Sequence, residues 1–361
     1  MQWFKPTYLV VIAALISVPL LAPQTNGLRA YPVAVGQEAA PAKPAEQQRP
    51  AGNENPSAGA RADDSTSSST AVPSGKTPKP EGTVFVSRVN EVPVVFTVTD
   101  KHNHYIRDLN KSDFKVIDDG RLVQDIRSFR RETDLPLRVG LLIDSSASVR
   151  GRFKFEQESA IEFMRQTIRP GFDQAFIMGF NSKLEITQEF TDAGELLSKG
   201  IRSLRPGTST RLYDALYYAC RERMLQKQES IAVRKAIVLI TDGDDNSSHT
   251  TREEAIDMAL RANVIVYTIS TNYSEHSESR KYNKLLERIA EATGGQLYEP
   301  SQVTDVSNAF AQIQADLRSQ YALAYHPADF RPDGRYRTIK IVAEPKGLKV
   351  HSRYGYYAPA E

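Results

Sequence analysis

Asp144, Ser146 and Ser148 stand at the end of a wholly apolar run, in the stretch LLIDSSASV. A buried strand has little use for hydroxyls at its tip unless something binds them. Alternation through a tight loop puts Ser146 and Ser148 on one side, beside Asp144. Two chemistries use such a group, a serine nucleophile or a metal ion. Two further loops choose between them. PGTSTRLYDAL, residues 206–216, places Thr208 and Thr210 just before a helical pattern. VLITDGDDNSS delivers Asp242 from a second apolar strand, followed by Asp244, Asp245 and Asn246. Asp144 and Asp242 with Ser146, Ser148 and one of the two threonines offer two carboxylates and three hydroxyls, all hard oxygen donors. That set suits Mg²⁺ first, with Mn²⁺ or Ca²⁺ as alternatives, and does not suit zinc or copper. Asp244, Asp245 and Asn246 are expected to form an acidic rim that tunes the choice of metal.

The nucleophile alternative needs a base and a group to orient it. Six histidines are present, and none falls in a recognisable catalytic spacing. His249 comes nearest, on the same loop as Asp242, and is expected to be a solvated loop residue. No GxSxG elbow, P-loop or HExxH motif occurs. The chain is therefore not expected to be an enzyme. A calcium-loop reading places Asp242, Asp244, Asn246 and Glu253 at positions 1, 3, 5 and 12 of an EF-hand-like loop. It fails at position 6, where Ser247 replaces the required glycine, and the loop follows a strand rather than a helix.

Holding the three loops together is the task of residues 135–318. Apolar strands (LRVGLLID, QAFIMGF, KAIVLITD, VIVYTIS and a short QLYEP) alternate there with amphipathic helices. In FKFEQESAIEFMRQTI, for example, Ile161, Met164 and Ile168 recur at helical spacing. RLYDALYYACRERML reads as one helix, and SRKYNKLLERIAEATGG as a helix stopped by Gly294-Gly295. Continuous apolar strands with crossover helices predict an α/β fold, a doubly wound, mostly parallel sheet. Ligands of such sheets bind beyond the carboxyl ends of the strands, where all three loops fall.

The flanks alternate with period two. Val94, Phe96 and Val98 share a face, Asp119-Gly120 is the turn of a hairpin, and Tyr321, Leu323 and Tyr325 alternate after the last helix. Segments 83–134 and 319–361 are each too small to be stable alone, so they are expected to join in one antiparallel β-sandwich. Tyr354, Tyr356 and Tyr357 are expected in its core and edge. Ahead of it, residues 30–82 are rich in Pro, Ala, Ser and Gly and predict a disordered linker. Residues 1–29 contain the apolar run YLVVIAALISVPLLA behind Lys5, which suits a signal peptide or an N-terminal anchor. Export to the periplasm, the membrane surface or the medium follows. Net charge is +2, from 46 basic and 44 acidic residues, which gives no reason to expect nucleic acid. A membrane is expected as partner only through the anchor. The one cysteine, Cys220, excludes an intramolecular disulfide and reads as a buried apolar residue. Oligomeric state has no signature in the sequence.

DSSAS at 144–148 matches the DxSxS motif of the von Willebrand factor A (integrin I-like) domain. The flanking strands resemble the exported bacterial VWFA-related, acidobacterial-type family, so the likeness covers roughly residues 84–358. The resemblance implies a metal-ion-dependent adhesion site with Asp144, Ser146, Ser148, Thr210 and Asp242 as ligands. Thr208 is the alternative to Thr210, because GTST offers both. It also implies a function: an open coordination position that captures a Glu or Asp carboxylate of a partner protein, in adhesion or assembly. The alternative is a structural scaffold that assembles a surface complex independently of metal.

Overall fold

The computed structural model describes residues 91–131, 135–225, 233–273 and 277–360. The expected leader and linker lie outside the described residues, as does the start of the first flanking segment. The chain opens with four strands, β1 (Val92–Thr99), β2 (Phe114–Asp118), β3 (Arg121–Leu122) and β4 (Ile126–Arg131). The central segment follows as β5 (Leu137–Asp144), α1 (Phe153–Thr167), β6 (Gln174–Phe180), β7 (Leu184–Thr191), α2 (Gly194–Ser203), α3 (Leu212–Tyr218), β8 (Arg234–Thr241), α4 (Arg252–Arg261), β9 (Ile265–Ser270), α5 (Ser277–Thr293), β10 (Leu297–Tyr298) and α6 (Val306–Leu317). Four more strands close it, β11 (Tyr321–Tyr325), β12 (Tyr336–Ala343), β13 (Lys349–Ser352) and β14 (Gly355–Tyr357).

The central strands form one six-stranded sheet in the order β10-β9-β8-β5-β6-β7. Every pair is parallel except β6 with β7. β5 and β8 are continuous apolar runs because both faces are covered. Val139, Leu141 and Ile143 pack under α1, α2 and α6, while Leu142 faces the layer of α3, α4 and α5. Ala236, Val238 and Ile240 against Ile237 and Leu239 repeat this alternation on β8. Each such side chain, fully buried, contributes about 1.5–3 kcal/mol. Cys220 lies in the second of these cores as a free, buried thiol, as expected.

Two features differ from the sequence reading. β7 was not expected. It is an antiparallel edge strand whose LEITQEFT pattern is half-buried along its length, and its pairing with β6 carries register shifts. An edge strand buries too little of either face to show a clean apolar period. The expected long helix after Thr210 also changes type: α3 ends at Tyr218 and continues as a π-helical segment, Ala219–Leu225.

The flanks join as an antiparallel sandwich of two sheets, β13-β1-β11-β4 and β14-β12-β2-β3. Strands from before and after the central segment therefore alternate in the first sheet and meet at the β12–β2 pair in the second. Val94 pairs with Leu323 and Phe96 with Tyr321. Between the sheets Phe96, Phe114, Phe129 and Tyr321 stack at centroid distances of 5.0–6.0 Å. Asp119-Gly120 makes the β2–β3 turn, with positive φ at both residues. Of the three C-terminal tyrosines, Tyr356 is buried in this core. Tyr354 is half exposed and donates to Glu291 (2.7 Å), and the Tyr357 ring lies under the Arg261 guanidinium.

Candidate metal centre

Strand order reverses between β5 and β8. The chain leaves β5 through α1 to reach β6 on one side, and leaves β8 through α4 to reach β9 on the other. Crossovers that diverge in this way leave a crevice beyond the carboxyl ends of the two strands. Ile143 and Ile240 are register partners, so the next residues of both strands open into that crevice.

Asp144 is 1% exposed. Its Oδ1 accepts from the Ser146 backbone N–H (2.8 Å) and its Oδ2 from the Thr241 hydroxyl (2.7 Å). Ser146 Oγ lies 2.9 Å from Ser148 Oγ, and Ser148 Oγ donates to Asp242 Oδ2 at 2.6 Å. Four of the five expected ligands thus form one hydrogen-bonded cluster. Burial pushes the Asp144 carboxyl up to about 6; the Thr241 hydroxyl opposes this and the nearby Asp242 charge adds to it. A buried carboxylate beside a second carboxylate is a group that gains from a cation.

The Thr208–Thr210 loop is laid against this cluster by its backbone. Gly207 N–H donates to Ser145 O (2.5 Å), and Ala147 N–H to Thr208 O (3.3 Å). Gly207 has no room for a side chain, since a Cβ there would meet Asn181 at 2.4 Å. Asn181 in turn donates to Ser145 Oγ (2.9 Å). Thr210 is buried and Thr208 exposed. Thr210 is also the residue gripped by the third loop: its N–H donates to Asn246 Oδ1 (3.0 Å), and its carbonyl accepts from Ser247 N–H (3.0 Å). Gly243, at φ +81°, turns the third loop just after Asp242.

The expected acidic rim takes another form. Asn246 serves as the clamp on Thr210. Asp245 accepts from Tyr213 N–H (3.1 Å) and from the Ser248 hydroxyl (2.6 Å), so it braces the start of α3. Asp244 stays close to Asp242, its N–H donating to Asp242 Oδ1 (3.2 Å). The EF-hand reading is overturned: Asn246 is turned to Thr210, and Glu253 pairs with Arg252 (2.5 Å) and Arg288 (3.7 Å) at the exposed start of α4. His249 is exposed and engages Arg211 (3.1 Å) and Asp214 (3.5 Å) rather than a serine.

Sequence reasoning passed over three contributors. Asp214, in the first turn of α3, accepts from the backbone N–H groups of Thr250 (2.8 Å) and His249 (3.1 Å) and from Arg211. Burial alone would raise its carboxyl, but these donors hold it far below the usual range. Thr241 orients Asp144. Arg152, at the N-cap of α1, donates to Ser148 O (3.2 Å), Thr271 Oγ1 (2.9 Å) and Glu156 Oε1 (3.1 Å) and lies 3.7 Å from Asp242 Oδ2. The Arg152–Glu156 spacing of four at a helix start was its only signal in the sequence.

Among the described residues no three His, Cys, Asp or Glu side chains converge as metal ligands. The donor set fits a hard divalent cation through a different composition, two carboxylates with hydroxyls. A doubly wound, mostly parallel sheet with these side chains at its switch point is the arrangement to compare with known proteins. Residues 139–315 match the family model described as the von Willebrand factor type A domain, and the chain carries a domain of that family. It is similar to an uncharacterized protein of Borreliella burgdorferi, 23% identical over 218 residues. That match covers 58% of this chain and 62% of the relative, so the chain spans less than two thirds of it. Among solved structures it resembles proximal thread matrix protein 1 of the mussel byssus, in a form described as having a zinc-occupied MIDAS motif. That match has 15% identity, 55% of this chain, 50% of that one and a TM-score of 0.45. It also resembles the vWF domain of the type V pili tip protein Mfa5 of Porphyromonas gingivalis, with 14% identity, 50% and 94% coverage and a TM-score of 0.41.

Proposed function

We propose that this chain is an exported, non-enzymatic protein-binding module whose central domain holds a divalent cation, Mg²⁺ first, and captures an acidic residue of a partner protein. One observation carries the reading: Asp144, Ser146, Ser148 and Asp242 come from two strand ends into one cluster with contacts of 2.6–2.9 Å. This reading takes Thr210 as the fifth donor; its backbone N–H donates to Asn246 Oδ1. Bound there, a divalent cation would supply concentrated positive charge for a partner carboxylate. The residues of the chain do the rest. Asp144 and Asp242 provide charge, and the three hydroxyls provide neutral oxygens at fixed spacing. The rigid sheet beneath keeps the donors from reorganising. The apolar leader in the sequence supports placement outside the cytoplasm.

The test is isothermal titration of Mg²⁺, then Mn²⁺ and Ca²⁺, into the full chain, with Asp144→Ala/Asp242→Ala as control. Saturable binding that disappears in the double variant, with its native circular dichroism kept, is the expected result. Absence of binding in the wild-type protein would leave the metal-independent scaffold as the better reading.

A further inference from the structure

The guanidinium of Arg152 is fixed from three elements. It holds Ser148 O on the first loop, Glu156 on α1 and Thr271 after β9, and it lies over the Tyr273 ring (5.5 Å). Its side chain is 21% exposed, so it stands at the rim of the cluster and not beneath it. From there it sits 3.7 Å from Asp242 Oδ2, the oxygen that also accepts from Ser148. Three hydrogen bonds and the ring contact hold the side chain in that position.

We propose that Arg152 is a built-in counter-charge: it holds down the affinity of the site for the free cation and gives the loaded site the surplus positive charge that draws a carboxylate. This rests on the cation reading above. Two carboxylates, Asp144 and Asp242, cancel a dication in formal charge. Arg152 then leaves the loaded centre at +1, which one carboxylate from a partner neutralises. Cation and carboxylate therefore favour each other's binding, as linkage requires.

Glu156 is the group that could cancel Arg152 from within. It is wholly buried behind the guanidinium; Oε1 pairs with Arg152, and Oε2 has no hydrogen-bond partner among the described residues. Burial pushes its carboxyl up to about 8; Arg152 opposes this, and Asp144 adds to it. Burial thus favours the protonated form of Glu156, and Arg152 turns its other side to Asp242. Even in bulk water, a unit charge and a dication about 6 Å apart change a binding constant by about tenfold.

The experiment titrates MgCl₂ into the full chain and into Arg152→Met and Arg152→Lys. Arg152→Met is expected to bind Mg²⁺ about tenfold more tightly, and Arg152→Lys to stay near wild type. Repeating the titrations with propionate in place of chloride, as a stand-in for a glutamate side chain, should tighten Mg²⁺ binding more in wild type than in Arg152→Met. Should the single variant fold poorly, Arg152→Met/Glu156→Gln removes both members of the pair and carries the same expectation. Equal or weaker Mg²⁺ affinity in the neutral variants would overturn the role of Arg152 while leaving the cation site standing. No Mg²⁺ binding by any of the proteins would overturn both.

Discussion

At the scale of single residues the centre is a balance of buried charge. Asp144 and Glu156 are both held above their ordinary values by burial, to about 6 and about 8. A carboxyl with a raised folded value binds its proton more tightly folded than unfolded, so it costs stability as pH rises towards that value. For Glu156 the window runs from its ordinary 4.5 to about 8. The half-buried His351, held down at about 4 from 6.5 by desolvation, acts in the opposite sense, but only below 6.5. Between pH 6.5 and 8.5 in chelator, the melting temperature should therefore fall as pH rises. Glu156→Gln should flatten that slope; a slope unchanged in the variant would remove Glu156 as its source.

At the scale of elements, what matters is how three loops from distant parts of the chain are tied. Asp214 is the knot. It anchors the third loop through Thr250 and His249 and belongs to the helix that follows the second loop. Asp214→Ala leaves those part-buried donors without their acceptor, at a cost of about 1 kcal/mol. Thermal denaturation should show that loss with native circular dichroism retained, and Mg²⁺ binding should weaken as Thr210 and Asp242 lose their fixed spacing. Unchanged cation affinity in this variant would mean that the loops are set by other contacts.

At the scale of the whole molecule, the central domain and the sandwich share one buried carboxylate. Asp316, in the last turn of α6, accepts from Tyr267 on β9 (2.5 Å) and from Gln296 (3.0 Å) on the α/β side. From the sandwich side it accepts from Thr97 on β1 (3.3 Å) and from Tyr105 (3.1 Å). Burial raises its carboxyl to about 6, and the hydroxyl and amide donors oppose the rise. Asp316→Ala strands several buried donors at once, so scanning calorimetry should show destabilisation of roughly 3 kcal/mol or more. Asp316→Asn, which keeps one acceptor, should be milder. Equal melting temperatures for wild type and Asp316→Ala would mean that the junction rests on apolar contacts alone.

The sequence by itself determined the parts whose signals are local. Largely apolar runs marked β5, β6, β8 and β9, because strands covered on both faces leave few polar positions. DSSAS marked the first loop, because hydroxyls at a buried strand end need a purpose. Tertiary structure alone decided the rest. It set the pairing of β1 with β11 and of β2 with β12, contacts spanning more than two hundred residues, which no local period encodes. It revealed β7, whose edge position blurs its pattern. It also turned Asp245 and Asn246 towards the neighbouring loop as braces. An oxygen that clamps a neighbouring loop and one that faces a cation look alike in a sequence; only the position of the partner N–H distinguishes them.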